Sequence, residues 1–290
     1  MTLQTPMRCS ALSEALAEPM IGSVDQHVRW LLVEDRSAWG TKAVRDVLGV
    51  ELEAETKARQ MRLLLVRRRE GDPAADAVRR VFLVDTETHE MAVRSVSDLG
   101  EVRSLLDRSL ADFGAPLSDP IFLVCTNGKR DACCALRGRA LVTAMATDHG
   151  ERTWECTHLG GHRFAGNLVC LPEGIVYGRV GAEDGPRLAD AYLEGRLDPS
   201  LLRGRSAWPA PAQVAEHSLR RSRGLERRGD VRLLDADVAG ERAVIRLAGL
   251  DGATHRFELR AERAEPRFIS CRADELESPV VWSVTNEAAG

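Results

Sequence analysis

No run of this 290-residue chain approaches the ~20 consecutive apolar residues that a membrane-spanning helix requires, so no transmembrane segment is expected. The stretch MTLQTPMRCSALSEAL has no apolar core long enough for a secretory signal, and the expected compartment is the cytoplasm. An excess of positive charge is missing too. Forty basic residues against 44 acidic ones give a net −4, and no global field points to nucleic acid. Lysine is nearly absent: Lys42, Lys57 and Lys129 occur, so 37 of the 40 basic residues are arginine. That skew reads as the coding bias of a GC-rich genome rather than a binding function. Arginine pairs such as Arg220–Arg221 and Arg227–Arg228 are accordingly expected on solvated faces. A C-x-x-C pair is lacking, as is any pair of carboxylates whose context suggests glycoside hydrolysis.

What is present suits a folded protein. Hydrophobic residues make up 44% and charged residues 29%, which excludes disorder and allows one large domain or two to three small ones. Seven cysteines occur, four of them within residues 125–156. In a chain expected in a reducing compartment, such clustering favours metal binding or redox chemistry over structural disulfides.

Apolar periodicity predicts strands over 28–34, 61–67, 79–84 and 91–96, with helices over 41–58 and 97–113. After the linker APLSDP the order repeats: a strand at 121–125, a helix near 134–149, strands near 153–158, 167–171 and 175–180, and a helix near 186–196 closed by Gly195. Both halves spell β-α-β-β-β-α, and WLLVE aligns with IFLVC, so Glu34 falls where Cys125 stands. This order resembles a thioredoxin-like unit. The expected fold is α/β: a degenerate thioredoxin-like lobe over 1–115, a second lobe over 120–204 that carries the cysteine chemistry, and a small α+β module over 205–290. That last module begins with the Pro-rich break SAWPAPA and a helix at 211–223. VRLLDADV, RAVIRLAG, THRFELRA and PVVWSVT follow as antiparallel strands, with turns at Ala239-Gly240 and Asp251-Gly252.

Two segments carry chemistry: Cys125-Thr-Asn-Gly-Lys-Arg-Asp-Ala-Cys133-Cys134, and Cys156-Thr-His158-Leu-Gly-Gly-His162-Arg-Phe-Ala-Gly-Asn167. Each starts where a strand ends, and in open α/β sheets the crevice beyond strand carboxyl ends is where sites form. Two thiolates and two imidazoles suit either Zn²⁺ or a [2Fe–2S] cluster. Structural zinc sites usually space paired cysteines by two to four residues, whereas eight separate Cys125 from Cys134. The longer loop favours the larger object and leaves both open. Gly160 and Gly161 let backbone N–H groups approach it closely.

CTNGKRDACC followed by HLGGHRFAGN resembles the sucrase/ferredoxin-like family, whose signature runs roughly C-x-H-G-x-R-D-x-x-C and then H-x-G-G-H-x-F-A-x-N; Asn127 stands where the family often has His. The resemblance spans most of residues 5–205. It implies a thioredoxin-fold ferredoxin whose [2Fe–2S] cluster is held by Cys125, Cys134, His158 and His162, and it prefers Cys134 over the adjacent Cys133 by spacing. The implied function is electron transfer with a redox partner such as a ferredoxin reductase, with no nucleic acid or membrane partner. A thiol–disulfide oxidoreductase and a structural zinc-binding module are the alternatives. Lys129 and Arg130 could form a basic rim where an acidic redox partner docks. Cys156 and Cys170 read as core thiols, and Cys9 and Cys271 as isolated structural or free thiols. His27, His89, His149, His217 and His255 lack partners at ligand spacing and are expected at the surface.

Two imidazoles in place of two thiolates make such a cluster less negative, which raises its potential above that of all-Cys ferredoxins. A ligated imidazole keeps one ring nitrogen free to release its proton, and oxidised iron makes that N–H more acidic than reduced iron does. Between the two pKa values reduction takes up a proton, so the potential should fall by about 59 mV per pH unit. Below both values it should be flat. Voltammetry across about pH 6 to 10 checks this, and a potential constant over that range contradicts it.

Overall fold

The computed structural model describes residues 7–68, 78–250 and 252–289. Strands β1 (Arg29–Glu34), β2 (Arg62–Arg67), β3 (Arg79–Asp85), β4 (Glu90–Val96) and β5 (Ala115–Pro116) come from the first half of the chain. Strands β6 (Ile121–Cys125), β7 (Thr153–Cys156), β8 (Leu168–Leu171), β9 (Ile175–Tyr177) and β10 (Leu202–Arg205) follow. All ten join one mixed sheet in the order β10-β9-β8-β6-β7-β2-β1-β3-β4-β5. Within it, β2-β1-β3-β4 and β7-β6-β8-β9 share order and direction: the first and second strands run parallel, and the third and fourth fold back antiparallel. The halves meet through β2 and β7, which pair antiparallel at Val66↔Cys156 and Arg67↔Glu155. The fold is mixed α/β, with both halves fused into a continuous sheet.

Alternation along the strands builds two interiors. Trp30, Leu32, Leu64, Val66, Phe82, Leu123, Cys125, Trp154, Cys156 and Val169 point to one face and form a single cluster across the joint. The opposite face splits in two. Helices α2 (Ala43–Leu48) and α3 (Val50–Ala58) cover the first part, around Leu31, Val33, Leu65 and Leu83. Helices α5 (Ala132–His149) and α6 (Asp184–Leu193) cover the second, around Phe122, Val124, Leu168 and Cys170. A short α1 (Cys9–Ala15) lies against the 3-10 turn at His162–Phe164.

Several predicted elements need correction. The helix expected over 41–58 is two, because Gly49 takes φ +85°, a left-handed value open to glycine. The helix expected over 97–113 is a 3-10 segment at Leu99–Leu105, capped by Asp98, followed by one turn, α4 (Leu110–Phe113). Strand β10 and helix α1 had no expectation attached. Of the expected turns, Asp251 lies outside the described residues, while Gly240 adopts φ +60° between two strands.

The C-terminal part is a four-stranded antiparallel sheet in sequence order: β11 (Arg232–Ala239), β12 (Arg242–Ala248), β13 (Thr254–Arg263) and β14 (Val280–Ala289). Helix α7 (Ala210–Arg223) packs its Ala212, Val214, Ala215 and Leu219 against it. The join to the large sheet is ionic as well as apolar. Glu216 accepts from Arg205 Nε at 2.8 Å and Arg220 Nε at 2.9 Å, and all three side chains are buried. Arg220, expected on a solvated face, is therefore an interior residue. Buried charges need partners; Glu216 Oε1 serves both arginines, and backbone carbonyls of Leu225, Arg227 and Arg228 take further guanidinium N–H groups.

The contact that sets the depth of α5 against β6 is at Gly138, where an added Cβ would stand 2.1 Å from the Cys125 carbonyl oxygen. In an exposed helix Ala would stabilise by about 1 kcal/mol relative to Gly. Here the collision reverses that sign, and Gly138→Ala should destabilise by about 1–3 kcal/mol in urea unfolding. Gly229, with nothing within 4 Å of its added Cβ, is the neutral control. A stabilised Gly138→Ala would contradict the close packing.

Candidate metal centre

Strands β6 and β7 are parallel neighbours with Cys125 opposite Cys156, so the two chain segments leaving their carboxyl ends emerge side by side. The first segment, 126–131, turns on Asn127, whose side-chain oxygen accepts Arg130 N at 3.2 Å. Asp131 then caps α5 by accepting Cys133 N at 2.9 Å, the usual way an Asp satisfies a free helix N–H. That cap sets the rotation of the first turn and brings Cys134 back to Cys125. The second segment passes Gly160 (φ +84°) and Gly161 (φ +66°) before the 3-10 turn that starts at His162.

Cys125 Sγ, Cys134 Sγ and a ring nitrogen of His158 lie within 4.8 Å of one another. His162 is outside that group but stacks on His158, ring centroids 3.9 Å apart and planes 9° from parallel. Of the four residues expected together, three form one donor group and the fourth lies against it. Cys133 belongs to a different group, with Cys9, Cys271 and Asp131. Cys156 and Cys170 are fully buried core thiols, and burial pushes both well up.

The donors are chemically prepared for a metal. A hydrogen bond from the Cys134 thiol, aided by His158, holds the Cys125 thiol well below its usual range, while the same bond raises Cys134. Burial, reinforced by His158, lowers His162 to about 4, so its imidazole is neutral and can offer a lone pair. His162 Nδ1 is buried and has no hydrogen-bond partner among the described residues. Two soft sulfurs and two borderline nitrogens in a water-poor pocket fit a zinc ion or a [2Fe–2S] cluster.

Two arginines complete the pocket, and sequence reading missed both. Arg203 is 2% exposed. Its guanidinium donates to Asn167 Oδ1 at 2.8 Å, Gly160 O at 3.3 Å, Ser23 Oγ at 3.1 Å and Ser23 O at 2.9 Å. Burial lowers its pKa to about 10, still far above neutrality, so the group is a buried cation facing the thiols of Cys134 and Cys125. Gly161 must lack a side chain, because a Cβ there would lie 2.4 Å from Arg203 Nη2. Arg62 donates to the His158 carbonyl at 2.8 Å. Lys42, Arg45, Lys57, Arg62 and Arg130 line a cleft of about 590 Å³ that reaches His158. Glu34, which ends β1 as Cys125 ends β6, is instead a buried carboxylate tied to the partly exposed Arg36 and Arg80. Two expectations fail on burial and position. His149 and His255 are each 4% exposed rather than at the surface, and Cys9 and Cys271 are not isolated.

The profile of the sucrase/ferredoxin-like family matches residues 20–204. Among curated proteins, "Altered inheritance of mitochondria protein 32" of Meyerozyma guilliermondii is 28% identical over 123 residues, 39% of this chain and 44% of that protein. The protein of the same name from Candida glabrata is 26% identical over 112 residues, 37% of this chain and 34% of that protein. The matched stretch thus spans less than half of either relative. No solved structure matches.

Replacing Arg203 tests how the pocket is held. Arg203→Met removes four donated bonds around the Gly160–Gly161 turn and strands the Asn167 oxygen, so unfolding should be easier by about 2–4 kcal/mol. Arg203→Lys keeps the charge without the planar fork and should lie between. Equal stability of the Arg203→Met variant and wild type in denaturant titration would contradict the assigned bonds.

Proposed function

This chain belongs to the sucrase/ferredoxin-like family, and we propose that it is an electron-transfer protein holding one [2Fe–2S] cluster on Cys125, Cys134, His158 and His162. The observation that carries this reading is the buried Cys125–Cys134–His158 group with His162 stacked against it. Such a cluster, when bound, supplies reversible one-electron chemistry. The chain's own residues do the tuning. Cys125 is prepared as a thiolate, and His162 is kept neutral. Arg203 places a fixed buried cation beside the sulfurs, which favours the more negative, reduced state and so raises the potential. Cys125 and Cys134 share one buried apolar cluster with Val169, Trp154 and Leu123, which keeps water from that face.

The cleft beside His158 suits the docking of an acidic redox partner, such as a ferredoxin reductase. Two of the chain's three lysines, Lys42 and Lys57, line it together with Arg130. All seven cysteines are free, as befits a reducing compartment, and the cytoplasm is the location proposed. No helix among the described residues is long and apolar enough to cross a membrane. A thiol–disulfide role fits less well, because Cys133 and Cys134 face different groups and no C-x-x-C occurs.

Anaerobic purification with iron, acid-labile sulfide and visible absorption measurements tests the proposal. Iron and sulfide in equal amounts with a brown colour are expected. Cys134→Ala should lose both, and Cys133→Ala should keep them. Stoichiometric zinc at this centre without sulfide would overturn the cluster in favour of a structural zinc module. Loss of iron in Cys133→Ala with retention in Cys134→Ala would overturn the ligand set.

A further inference from the structure

Three of the five thiols that this centre does not use meet about Asp131. Cys9 opens α1, Cys133 stands in the first turn of α5, and Cys271 sits in the 264–279 connection between β13 and β14. Their sulfurs form a triangle with Cys133–Cys271 at 3.3 Å, Cys9–Cys271 at 3.4 Å and Cys9–Cys133 at 3.6 Å. The Asp131 carboxylate, with no exposed surface, lies 3.9 Å from Cys9 Sγ through both oxygens. We propose that Cys9, Cys133, Cys271 and Asp131 form a second metal site, separate from the first centre and selective for a borderline-soft divalent ion, Zn²⁺.

Geometry separates this from the alternatives. A disulfide needs sulfurs about 2.05 Å apart, and none of these pairs is close to that. A tetrahedral ion with Zn–S near 2.3 Å holds its sulfurs about 3.8 Å apart, only a few tenths of an ångström wider than the observed triangle. Asp131 supplies a fourth donor, so the site is closed, which is the structural rather than the catalytic pattern of zinc. Three sulfurs exclude Mg²⁺ and Ca²⁺, which take oxygen ligands.

The chemistry also asks for a cation. Thiols packed only as small apolar groups have no need of a buried carboxylate among them. The Asp131 carboxylate accepts N–H groups of Cys271 at 2.9 Å and Cys133 at 2.9 Å and the Ser270 hydroxyl at 3.0 Å, which hold it in place among the sulfurs. The Ser10 hydroxyl donates to Cys133 Sγ at 3.2 Å, which leaves that sulfur an acceptor within the group. Arg137, the nearby guanidinium, is already tied to Glu14. Binding exchanges the remaining thiol protons for the ion and releases them to solvent, with no electron transferred. The site joins the amino-terminal helix and the C-terminal hairpin to the body of the fold. Only Cys133 of its three cysteines lies within the family-matched residues 20–204.

The site shares no ligand with the proposed cluster, and the test keeps the two apart. Zinc and iron per chain are measured by elemental analysis on the full chain, purified anaerobically as wild type, Cys9→Ser, Cys271→Ser and Cys134→Ser. Wild type should hold this zinc, and Cys9→Ser and Cys271→Ser should each lose it at least about tenfold without change at the first centre. Cys134→Ser should do the reverse. If the first centre holds zinc instead of iron, wild type should carry one zinc more than Cys271→Ser, and the inference stands while the cluster reading fails. Co²⁺ loaded in place of zinc should give thiolate charge-transfer bands and tetrahedral d–d bands that both Ser variants lose. Cys271 is exposed, so its Ser variant is the one least exposed to a folding defect, and circular dichroism checks that. Unchanged zinc in a folded Cys271→Ser, or a Cys9–Cys271 disulfide found by mass spectrometry in the anaerobic protein, would overturn the site.

Discussion

Neighbouring side chains on an α-helix point about 100° apart, and the two adjacent cysteines at the start of α5 fall into different donor groups. Asp131 sets the rotation of α5 by capping it, and the consequence is a division of labour. Cys134 turns toward Cys125 and His158, and Cys133 turns toward Cys9 and Cys271. Gly138, one turn on, lets the helix approach the Cys125 carbonyl closely enough for Cys134 to arrive. The parallel pairing of β6 with β7 brings the histidine loop alongside. Remove the cap or the close approach, and both groups of donors separate.

The charge balance around the first centre follows the same economy of position. A buried thiolate needs a compensating charge, and a buried guanidinium needs acceptors on every side. Arg203 answers both requirements: its acceptors are Asn167, Gly160 and Ser23, and its charge faces the sulfurs. Asn167 in turn donates to Gly161 O at 3.0 Å, which closes the loop that carries both histidines. The motif HLGGHRFAGN is thus a mechanical unit as well as a source of ligands. Its glycines admit the arginine, its asparagine holds it, and its histidines are set by the turn between them.

Much of this was legible in the sequence. Strands such as IFLVC and WLLVE are short apolar runs bounded by turn residues, and their repeat order is visible as two strings of the same elements. Boundaries slipped where local chemistry overrode periodicity, as at Gly49, whose left-handed backbone breaks one expected helix into two. Cys125, Cys134, His158 and His162 stood out because their spacing is local. Cys9 and Cys271 did not, since contacts 262 residues apart leave no spacing to read. Arg203 was hidden for a different reason: among so many arginines, nothing in the sequence marks the one that is buried. Asp131 had no role assigned from the sequence, because both its cap on α5 and its reach to Cys271 are set by the fold.

In the proposed centre, two imidazoles and two thiolates hold one redox group. Nitrogen hyperfine spectroscopy on the reduced protein reads this most directly. Couplings from two ring nitrogens are expected, one of which disappears in His158→Cys and the other in His162→Cys. A reduced spectrum with no nitrogen coupling, or with a single coupling that both substitutions leave intact, would contradict it.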